Sequence, residues 1–385
     1  MRRLARPAAA ALVLLAAGCG SPGSPGGSAP RPAPEVTAAG APQLATSLVT
    51  AVGTWAVAVT GGSAAAHDNF WQLFVRPAGS TMWRLVTPPG VPDNGGLVAA
   101  GAGGRSLITG FRPSQYLTYT PLAITRDGGR AWSPAGPLAG GLANAPDALA
   151  AAPDTGRLLA LMTSGTVAEA APGYTRWHRL VGRHTLAATP AARPCDLRTI
   201  TAVTWAAPGM PLIGASCARP GVAGILALSQ GAWRNVAPAM PTVLARQPVT
   251  VLRLTEAGGR AAALLQAGSG PGASLLAAWS AGGRRWTLSA PLRARATVTA
   301  ASVGPVQTIV LNGTTATVIP DGRGSWRRLP AVPSGTATVT AGPAGGFDTL
   351  AVHRSKLTVW RLAAGGVAWQ VAQAIIVPIQ YGSSG

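Results

Sequence analysis

An all-β fold built from repeated short strands is predicted by three features of this 385-residue sequence. Its 50 Gly and 34 Pro interrupt every segment long enough for an extended helix, while 48% of the residues are hydrophobic, which is enough for a packed core. Seven of the 12 tryptophans stand in similar frames, at a mean spacing of about 48 residues that is typical of propeller blades. These are Trp83, Trp132, Trp177, Trp233, Trp286, Trp326 and Trp369.

Each interval between these tryptophans contains the same arrangement of short apolar segments. In the fifth repeat, which ends with the Trp286 segment, residues 249–254, 261–266 and 274–279 are mainly apolar and separated by Gly-rich turns, and a fourth segment begins at Trp286. Four short strands per repeat are what a propeller blade requires. The sequence therefore predicts a seven-bladed β-propeller of four-stranded antiparallel blades over residues 42–385, with six or eight blades as alternative counts.

The first 18 residues have the layout of a signal peptide. Three arginines among the first six residues precede an apolar run, 8–17, that is too short to span a bilayer. The run ends in LAAGC (15–19), which resembles the lipobox of bacterial lipoproteins of the actinobacterial type, with the leucine one place earlier than usual. The resemblance implies that Cys19 carries the lipid (palmitate) and anchors the protein to the cell membrane on its extracytoplasmic side. The alternative is an ordinary secretory signal.

Residues 19–41 consist of the predicted lipidated cysteine, Cys19, and a Ser/Pro/Gly-rich linker with little to bury. At about 3.1 Å per residue, such a linker reaches up to roughly 70 Å from the membrane. Residues 19–385 retain 28 of the 31 Lys+Arg and all 11 Asp+Glu, a net charge near +17. We therefore expect a monomer whose partner is an anionic wall polymer, a glycan or an envelope protein. We do not expect nucleic acid, because no DNA-binding motif organises the arginines.

Many of the basic residues fall into two groups along the chain. One group follows the tryptophans, where an outer strand would expose it to solvent; it consists of Arg84, Arg234, Arg327 and Arg328. The other group, with one tyrosine, falls in loops predicted on the face where propellers usually bind ligands. These candidate ligand-binding residues are Arg112, Tyr116, Arg179, Arg183, His184, Arg193, Arg219, Arg246, Arg293, Arg295 and Arg354.

The most specific motif of the chain is the segment TRDGGRAW, Thr125–Trp132. We expect the Asp127 side chain to accept backbone N–H groups of its own turn, Gly129 to adopt a positive φ, and the indole to hold the hairpin to its sheet. The motif resembles the Asp-box (BNR) repeat of the sialidase-like β-propeller superfamily, and a partial box retains Asp321 and Trp326. The resemblance implies a structural role for these residues at the blade periphery.

A sialidase-like exo-glycosidase is the alternative function that this resemblance raises. Such enzymes need an arginine triad, a Tyr/Glu pair and an acidic Asp, but Glu169 and Glu256 stand in no recognisable frame with a tyrosine. The four histidines share no metal-ligand spacing, and no phosphate-binding fingerprint is present. We predict a protein that is not an enzyme and holds no metal or cofactor. Most aspartates stand in contexts typical of turns; these are Asp68, Asp93, Asp147, Asp154, Asp196 and Asp348.

Two cysteines remain once Cys19 is assigned to the anchor. Cys195 and Cys217 flank the first predicted hairpin of the fourth repeat. A pair of cysteines in an oxidising compartment favours a disulfide, and two buried thiols are the alternative. Taken together, these features predict a lipid-anchored, extracytoplasmic propeller that is a non-catalytic binding or scaffolding module, with an envelope-assembly factor as a further alternative.

Overall fold

The computed structural model describes residues 44–61, 69–88, 97–102, 106–111, 120–136, 146–152, 154–207, 209–320 and 324–377. The predicted signal peptide, the lipidation site at Cys19 and the linker lie outside the described residues. The same holds for three of the predicted site residues: Arg112, Tyr116 and Asp321.

The all-β prediction is confirmed, because the described residues fold mainly into short strands that form seven consecutive four-stranded units. The first three units are β1 (Ala45–Thr50), β2 (Gly53–Gly61), β3 (Asn69–Pro77), β4 (Arg84–Leu85); β5 (Leu97–Ala102), β6 (Ser106–Phe111), β7 (Leu122–Thr125), β8 (Ser133–Pro134); and β9 (Pro146–Ala151), β10 (Leu158–Met162), β11 (Thr166–Ala170), β12 (Trp177–Gly182). The fourth and fifth are β13 (Leu197–Ala207), β14 (Met210–Cys217), β15 (Gly224–Ser229), β16 (Ala232–Asn235); and β17 (Val249–Ala257), β18 (Arg260–Ala267), β19 (Ser274–Ala281), β20 (Arg285–Leu288), after which β21 (Leu292–Arg293) adds to the edge of β19.

The sixth and seventh units complete the series with β22 (Val298–Val303), β23 (Gln307–Asn312), β24 (Thr315–Pro320), β25 (Arg327–Arg328); and β26 (Thr336–Ala341), β27 (Phe347–His353), β28 (Lys356–Leu362), β29 (Gln370–Ile376). Helical structure in the described residues is limited to α1 (Arg183–Ala187) and short 3₁₀ turns at Thr242–Leu244 and Pro343–Gly345. Within every unit each strand pairs antiparallel with the next one along the chain.

The core of the described chain lies between units rather than within one of them. Each hydrophobic cluster combines side chains of one unit with side chains of the next. A further cluster packs Phe74 and Trp83 of the first unit against Leu350, Leu357 and Val359 of the seventh. Sheets that are covered on both faces by their neighbours, with the last packed against the first, form a β-propeller.

The seven repeat tryptophans hold neighbouring units together. Each of them lies in the hydrophobic cluster between its own unit and the preceding one. Trp132 Nε1 donates to the carbonyl oxygen of Val86 at 2.9 Å, and Trp369 Nε1 donates to that of Pro330 at 3.2 Å. The indole of each of these two tryptophans therefore ties its hairpin to the preceding unit, because the acceptor belongs to that unit.

Hydrogen bonds also cross between units at two strand pairs. The β1 strand pairs in parallel with β22 of the sixth unit, at Ala45↔Ala300 and Thr46↔Ala301. The β14 strand pairs with β17 at Ser216↔Thr250. The first of these pairs joins the units on either side of the seventh unit and so reinforces the junction between the two ends of the propeller.

That junction is centred on the carboxylate of Asp348, which is completely buried on β27. Its Oδ2 accepts a hydrogen bond from Trp83 Nε1 at 2.9 Å. Arg361 Nε donates to Oδ1 at 2.8 Å, and Arg76 Nε of the first unit lies 3.4 Å from Oδ2. Burial lowers the pKa of Arg76, and the Asp348 charge acts in the opposite direction. The prediction that Asp348 is a turn residue is wrong, because it is a buried strand residue that links the last unit to the first.

We predict that Asp348→Asn destabilises the fold by about 3 kcal/mol, because removing one member of a buried ion network leaves the other charges uncompensated. Chemical denaturation of the variant measures this loss. Asp196→Asn is the matched control, since Asp196 is exposed and its positive φ of 50° suits asparagine as well as aspartate. Equal stability of the two variants would contradict a role for Asp348 in closing the propeller.

Candidate functional site

Because consecutive strands of each unit run in opposite directions, the loops of the unit lie at two opposite ends of the propeller. The connection to the next unit and the turn between the second and third strands lie at the same end, which we call the connection end. Hydrogen bonds tie these loops together: Gly221 N donates to Gln247 O at 2.8 Å, and Gly272 N donates to Ala294 O at 2.9 Å. The remaining turns, including Thr125–Trp132, lie at the opposite end.

Most of the predicted ligand-binding residues that the structure describes lie in loops of the connection end. They are Arg183, His184, Arg193, Arg219, Arg246, Arg293, Arg295 and Arg354, of which only Arg183 is half-buried and the others are exposed. Arg179 departs from the prediction because it belongs to the outer strand β12, but its guanidinium lies against Gly182 at the same end. Of the described carboxylates, Asp147 and Asp196 belong to this end, and Asp147 is buried. The connection end is therefore strongly basic, and its binding role remains a prediction.

The predicted disulfide is confirmed and fixes one loop of the connection end. Cys195 and Cys217 form a bond across a sequence separation of 22 residues, and both are buried. Their sulfur atoms lie 2.8 and 2.9 Å from the position that a Cβ would occupy at Gly224, so the β15 strand needs glycine there. The bridge holds the loop that carries Arg193 against the end of β14.

A cleft between the fifth and sixth units opens beside this basic surface. Its volume is about 660 Å³, within the range of small-molecule sites. One wall comes from the turn and connection of the fifth unit, and the other from β24 and β25 of the sixth. The lining residues are Pro271, Gly272, Leu292, Arg293, Ala294, Arg295, Asn312, Thr315, Thr317, Trp326 and Arg328. The cleft thus combines three arginines with neutral polar groups and one tryptophan.

The cleft contains residues that the sequence does not single out as ligand-binding. Arg328 is exposed on the outer strand β25, as the sequence predicts, and its Nη2 also donates to Thr315 Oγ1 at 3.3 Å, so that it lines the cleft. Arg84 likewise donates to Gly128 O at 3.3 Å instead of projecting freely. The pairing of Thr317 with Arg328 across β24 and β25 creates this wall. The sequence does not show which residue of β24 pairs with Arg328, so this wall of the cleft could not be predicted from it.

The Thr125–Trp132 turn has the geometry expected of its side chains. Asp127 Oδ1 accepts hydrogen bonds from the backbone N–H groups of Arg130 at 2.9 Å and Ala131 at 3.0 Å. Gly129 has a φ of 83° and donates its N–H to Thr125 Oγ1 at 2.9 Å. The hydrogen bond from Ala131 is the main reason that the pKa of Asp127 is lowered. The partial box around Trp326 is described only in part, because Asp321 lies outside the described residues.

The described glutamates, which a sialidase-like enzyme would need beside a tyrosine, and Tyr174 are engaged in other contacts. Glu169 is buried and forms an ion pair with Arg157, and its Oε2 lies 3.5 Å from His178 Nε2. The Tyr174 hydroxyl donates to Gly156 O at 3.1 Å, and burial raises its pKa. Burial also raises the pKa of Glu256, which accepts the N–H of Gly259 at 2.7 Å. Within the described ranges, no group of three or more His, Cys, Asp or Glu is placed to hold a metal ion.

Comparison with known proteins places the chain by fold only. No protein-family model matches it, and no curated protein matches it by sequence. A periplasmic gluconolactonase from Pseudomonas aeruginosa superposes with a TM-score of 0.50 at 12% identity, covering 84% of this chain and 96% of that one. A protein from Lactobacillus plantarum gives 0.52 at 9% identity, with 84% and 97% covered. A GH74 xyloglucanase from Xanthomonas campestris gives 0.51 at 15% identity, with 86% of this chain and 54% of that chain covered.

These similarities correct one prediction. The gluconolactonase and the xyloglucanase are enzymes with the fold of this chain, so the prediction that the protein is not an enzyme is wrong. Identities of 12% and 15% extend the likeness to the fold alone and transfer no substrate or catalytic residue.

The helical segments of the described residues all lack the length and apolar composition that a membrane-spanning helix needs. The chain is thus a β-propeller, and its own residues define its candidate site.

We predict that Asp127→Asn lowers the melting temperature at neutral pH and that the difference from wild type shrinks below about pH 4. The folded turn stabilises the charged carboxylate and so holds its pKa below the unfolded value. The stabilisation is therefore present above the unfolded pKa and is lost as the pH falls through the folded pKa. Thermal unfolding across this pH range tests the prediction, with Asp154→Asn at another exposed position as control. A difference that stays constant with pH would refute it.

Proposed function

We propose that this protein is a seven-bladed β-propeller, tethered through Cys19 to the extracytoplasmic face of the cell membrane, that binds an anionic polymer or glycan of the envelope at its connection end. One observation carries the proposal: exposed arginines of several units collect at that end, and Asp196 is the exposed carboxylate described there. A surface of this kind attracts polyanions and raises their local concentration.

Seven blades are supported by the packing between units. The described strands form seven units of four, each hydrophobic cluster lies between neighbours, and one cluster joins the seventh unit to the first. The hydrogen bonds of the Thr125–Trp132 turn support kinship with Asp-box propellers. A ring of blades displays its connection loops on one rigid surface, which suits a ligand with repeated charges.

The binding energy would come from many modest contacts. An exposed ion pair contributes only about 0–1 kcal/mol, so a single arginine cannot hold a polymer. Several arginines at fixed positions act together, as long as salt does not screen them. The Debye length falls from about 10 Å at 0.1 M to about 3 Å at 1 M, so binding should weaken steeply over that range.

We predict that reversing the charge of Arg193, Arg219 and Arg246 together lowers the affinity for polyanions about tenfold at low salt, since three weak pairs are lost and three repulsions are added. Binding of the detergent-solubilised full-length protein to polyglycerol phosphate, polygalacturonate and phosphatidylglycerol vesicles measures the effect. Turnover of the bound polymer is assayed in the same samples, because the fold also occurs in enzymes.

The matched control reverses Arg130, Arg284 and Arg285, which are exposed at the opposite end and change the net charge by the same amount. A clearly smaller loss is expected for this control. Equal losses in the two triple variants would mean that net charge alone drives adsorption. A protein that binds none of the three polyanions at low salt would overturn the proposed function.

The tether gives a separate prediction. Replacing Cys19 with alanine removes the acceptor for lipid, so the protein should move from the detergent phase to the aqueous phase or accumulate as uncleaved precursor. Phase partitioning and metabolic labelling with palmitate measure both outcomes. Unchanged partitioning of Cys19→Ala into detergent would contradict the anchor but would leave the binding proposal in place.

A further inference from the structure

We propose that the cleft between the fifth and sixth units binds an acidic saccharide, that is, a sugar residue carrying a carboxylate or a phosphate group. This inference rests on the proposed function, since it assigns one site and one chemical class to the binding at the basic end. It is carried by three observations on the cleft: its arginines, a buried hydroxyl without a partner, and a tryptophan beside neutral polar groups.

Successive side chains point to opposite sides along the chain on both walls of the cleft, and this places the arginines and threonines on the cleft. In the connection after β20, Leu292 and Ala294 pack into the core between the two units, whereas Arg293 and Arg295 are exposed. On the facing wall, Thr315 and Thr317 lie two residues apart on β24, and Arg328 pairs with Thr317 on β25. Residues two apart on a strand share a face, so the side chains of Thr315, Thr317 and Arg328 lie on the same side of the sheet, toward the cleft.

The cleft presents positive charge that no lining carboxylate neutralises. Its three arginines are Arg293, Arg295 and Arg328, and none of the residues described as lining it is acidic. Guanidinium groups form paired, charge-assisted hydrogen bonds with carboxylate and phosphate oxygens. The anionic group of the ligand would therefore lie between the connection and the β25 strand.

The Arg295 backbone is held in place by a buried amide. Asn312 Oδ1 accepts the N–H of Arg295 at 2.7 Å and that of Ala296 at 2.9 Å. The Asn312 side chain is only 6% exposed and also donates to the carbonyl oxygen of Ala296. Asn312 is thus a positioning residue, which fixes the connection that carries two of the three arginines.

A hydroxyl group in the cleft wall has no hydrogen-bond partner in the described part of the chain. Thr317 is only 6% exposed, and its Oγ1 forms no hydrogen bond there. Buried hydroxyl groups are normally hydrogen-bonded, because leaving water without a new partner is unfavourable. A ligand that carries hydroxyl groups would supply that partner, and a bare inorganic anion would leave the rest of the cleft unfilled.

The remaining lining favours a sugar over a bare anion. Trp326 is half-buried, and its Nε1 already donates to Ala290 O at 2.9 Å, so the ring offers the cleft apolar surface and no free donor. The C–H faces of a sugar ring pack on such a surface, while its hydroxyl groups match the threonine side chains. Charge, hydroxyl groups and an apolar face occur together in acidic saccharides.

Calorimetry on the detergent-solubilised full-length protein tests the inference with four probes: trigalacturonate, glucose 1-phosphate, maltotriose and inorganic phosphate. We expect at least one of the two acidic saccharides to bind about tenfold more tightly than both maltotriose and inorganic phosphate, since charge and hydroxyl contacts add. Which of the two binds more tightly distinguishes a carboxylate from a phosphate as the natural group.

Thr317→Val is the decisive variant, because it changes no charge and keeps the side-chain shape. Affinity for the acidic saccharide should fall about three- to tenfold, whereas the melting temperature should stay the same or rise, since an unpartnered buried hydroxyl is removed. Thr308→Val is the matched control: Thr308 is in the same unit, is fully buried, has an equally unpartnered Oγ1 in the described residues, and is not part of the cleft lining. It should leave affinity unchanged.

The charge contribution is measured with Arg293→Gln/Arg295→Gln against Arg284→Gln/Arg285→Gln on the same unit at the opposite end. Only the first pair should lose affinity for the acidic saccharide. Inorganic phosphate binding as tightly as the saccharides, or wild-type affinity in Thr317→Val, would overturn the cleft assignment. If polyanion binding still depended on Arg193, Arg219 and Arg246 in that case, the proposed function would hold without the cleft assignment.

Discussion

The joining of the last unit to the first is the constraint on which the rest of this propeller depends. Every sheet is covered by its two neighbours, so an open ring would expose the apolar faces of both terminal units. Here all four strands of the first unit come from the N-terminal part of the described chain and all four of the seventh from the C-terminal part. No strand is shared between them, so side chains hold the junction together with the pairing of β1 and β22. Trp83, Arg76 and Arg361 do so by converging on the buried carboxylate of Asp348.

Side-chain contacts also join the other pairs of neighbouring units around the ring. At the other junctions an indole of one unit packs against the preceding unit, and where its N–H has a partner there, that partner is a backbone carbonyl, as for Trp132 and Trp326. A second buried carboxylate, Glu169, holds Arg157, whose guanidinium lies 5.3 Å from the ring of Trp205 in the next unit. Ionic and aromatic contacts thus connect units whose strands rarely exchange backbone hydrogen bonds.

Features that depend on local repetition could be predicted from the sequence, and features that depend on assembly could not. The tryptophan spacing predicts the four-stranded units, and the position of two cysteines around one hairpin predicts their bond, because both are properties of a single repeat. The burial of Asp348 has no local signature, because Trp83 and Arg76, which contact its carboxylate, belong to the first unit. The cleft could be anticipated only through Arg293 and Arg295. Arg328 and Thr317 belong to it because β24 and β25 face the connection of another unit.

The scarcity of acidic residues connects the architecture to the charge of the surface. Asp348 is buried in an ion pair that links two units, Glu169 is buried in an ion pair within the third unit, and Asp127 is bound to the backbone of its own turn. These carboxylates cannot neutralise the arginines in the loops of the connection end without giving up structural contacts. The positive charge there is balanced by mobile ions or by a bound anion. The proposed polyanion would displace those ions from loops that the packed sheets already hold in place, so its binding would require little ordering of the protein.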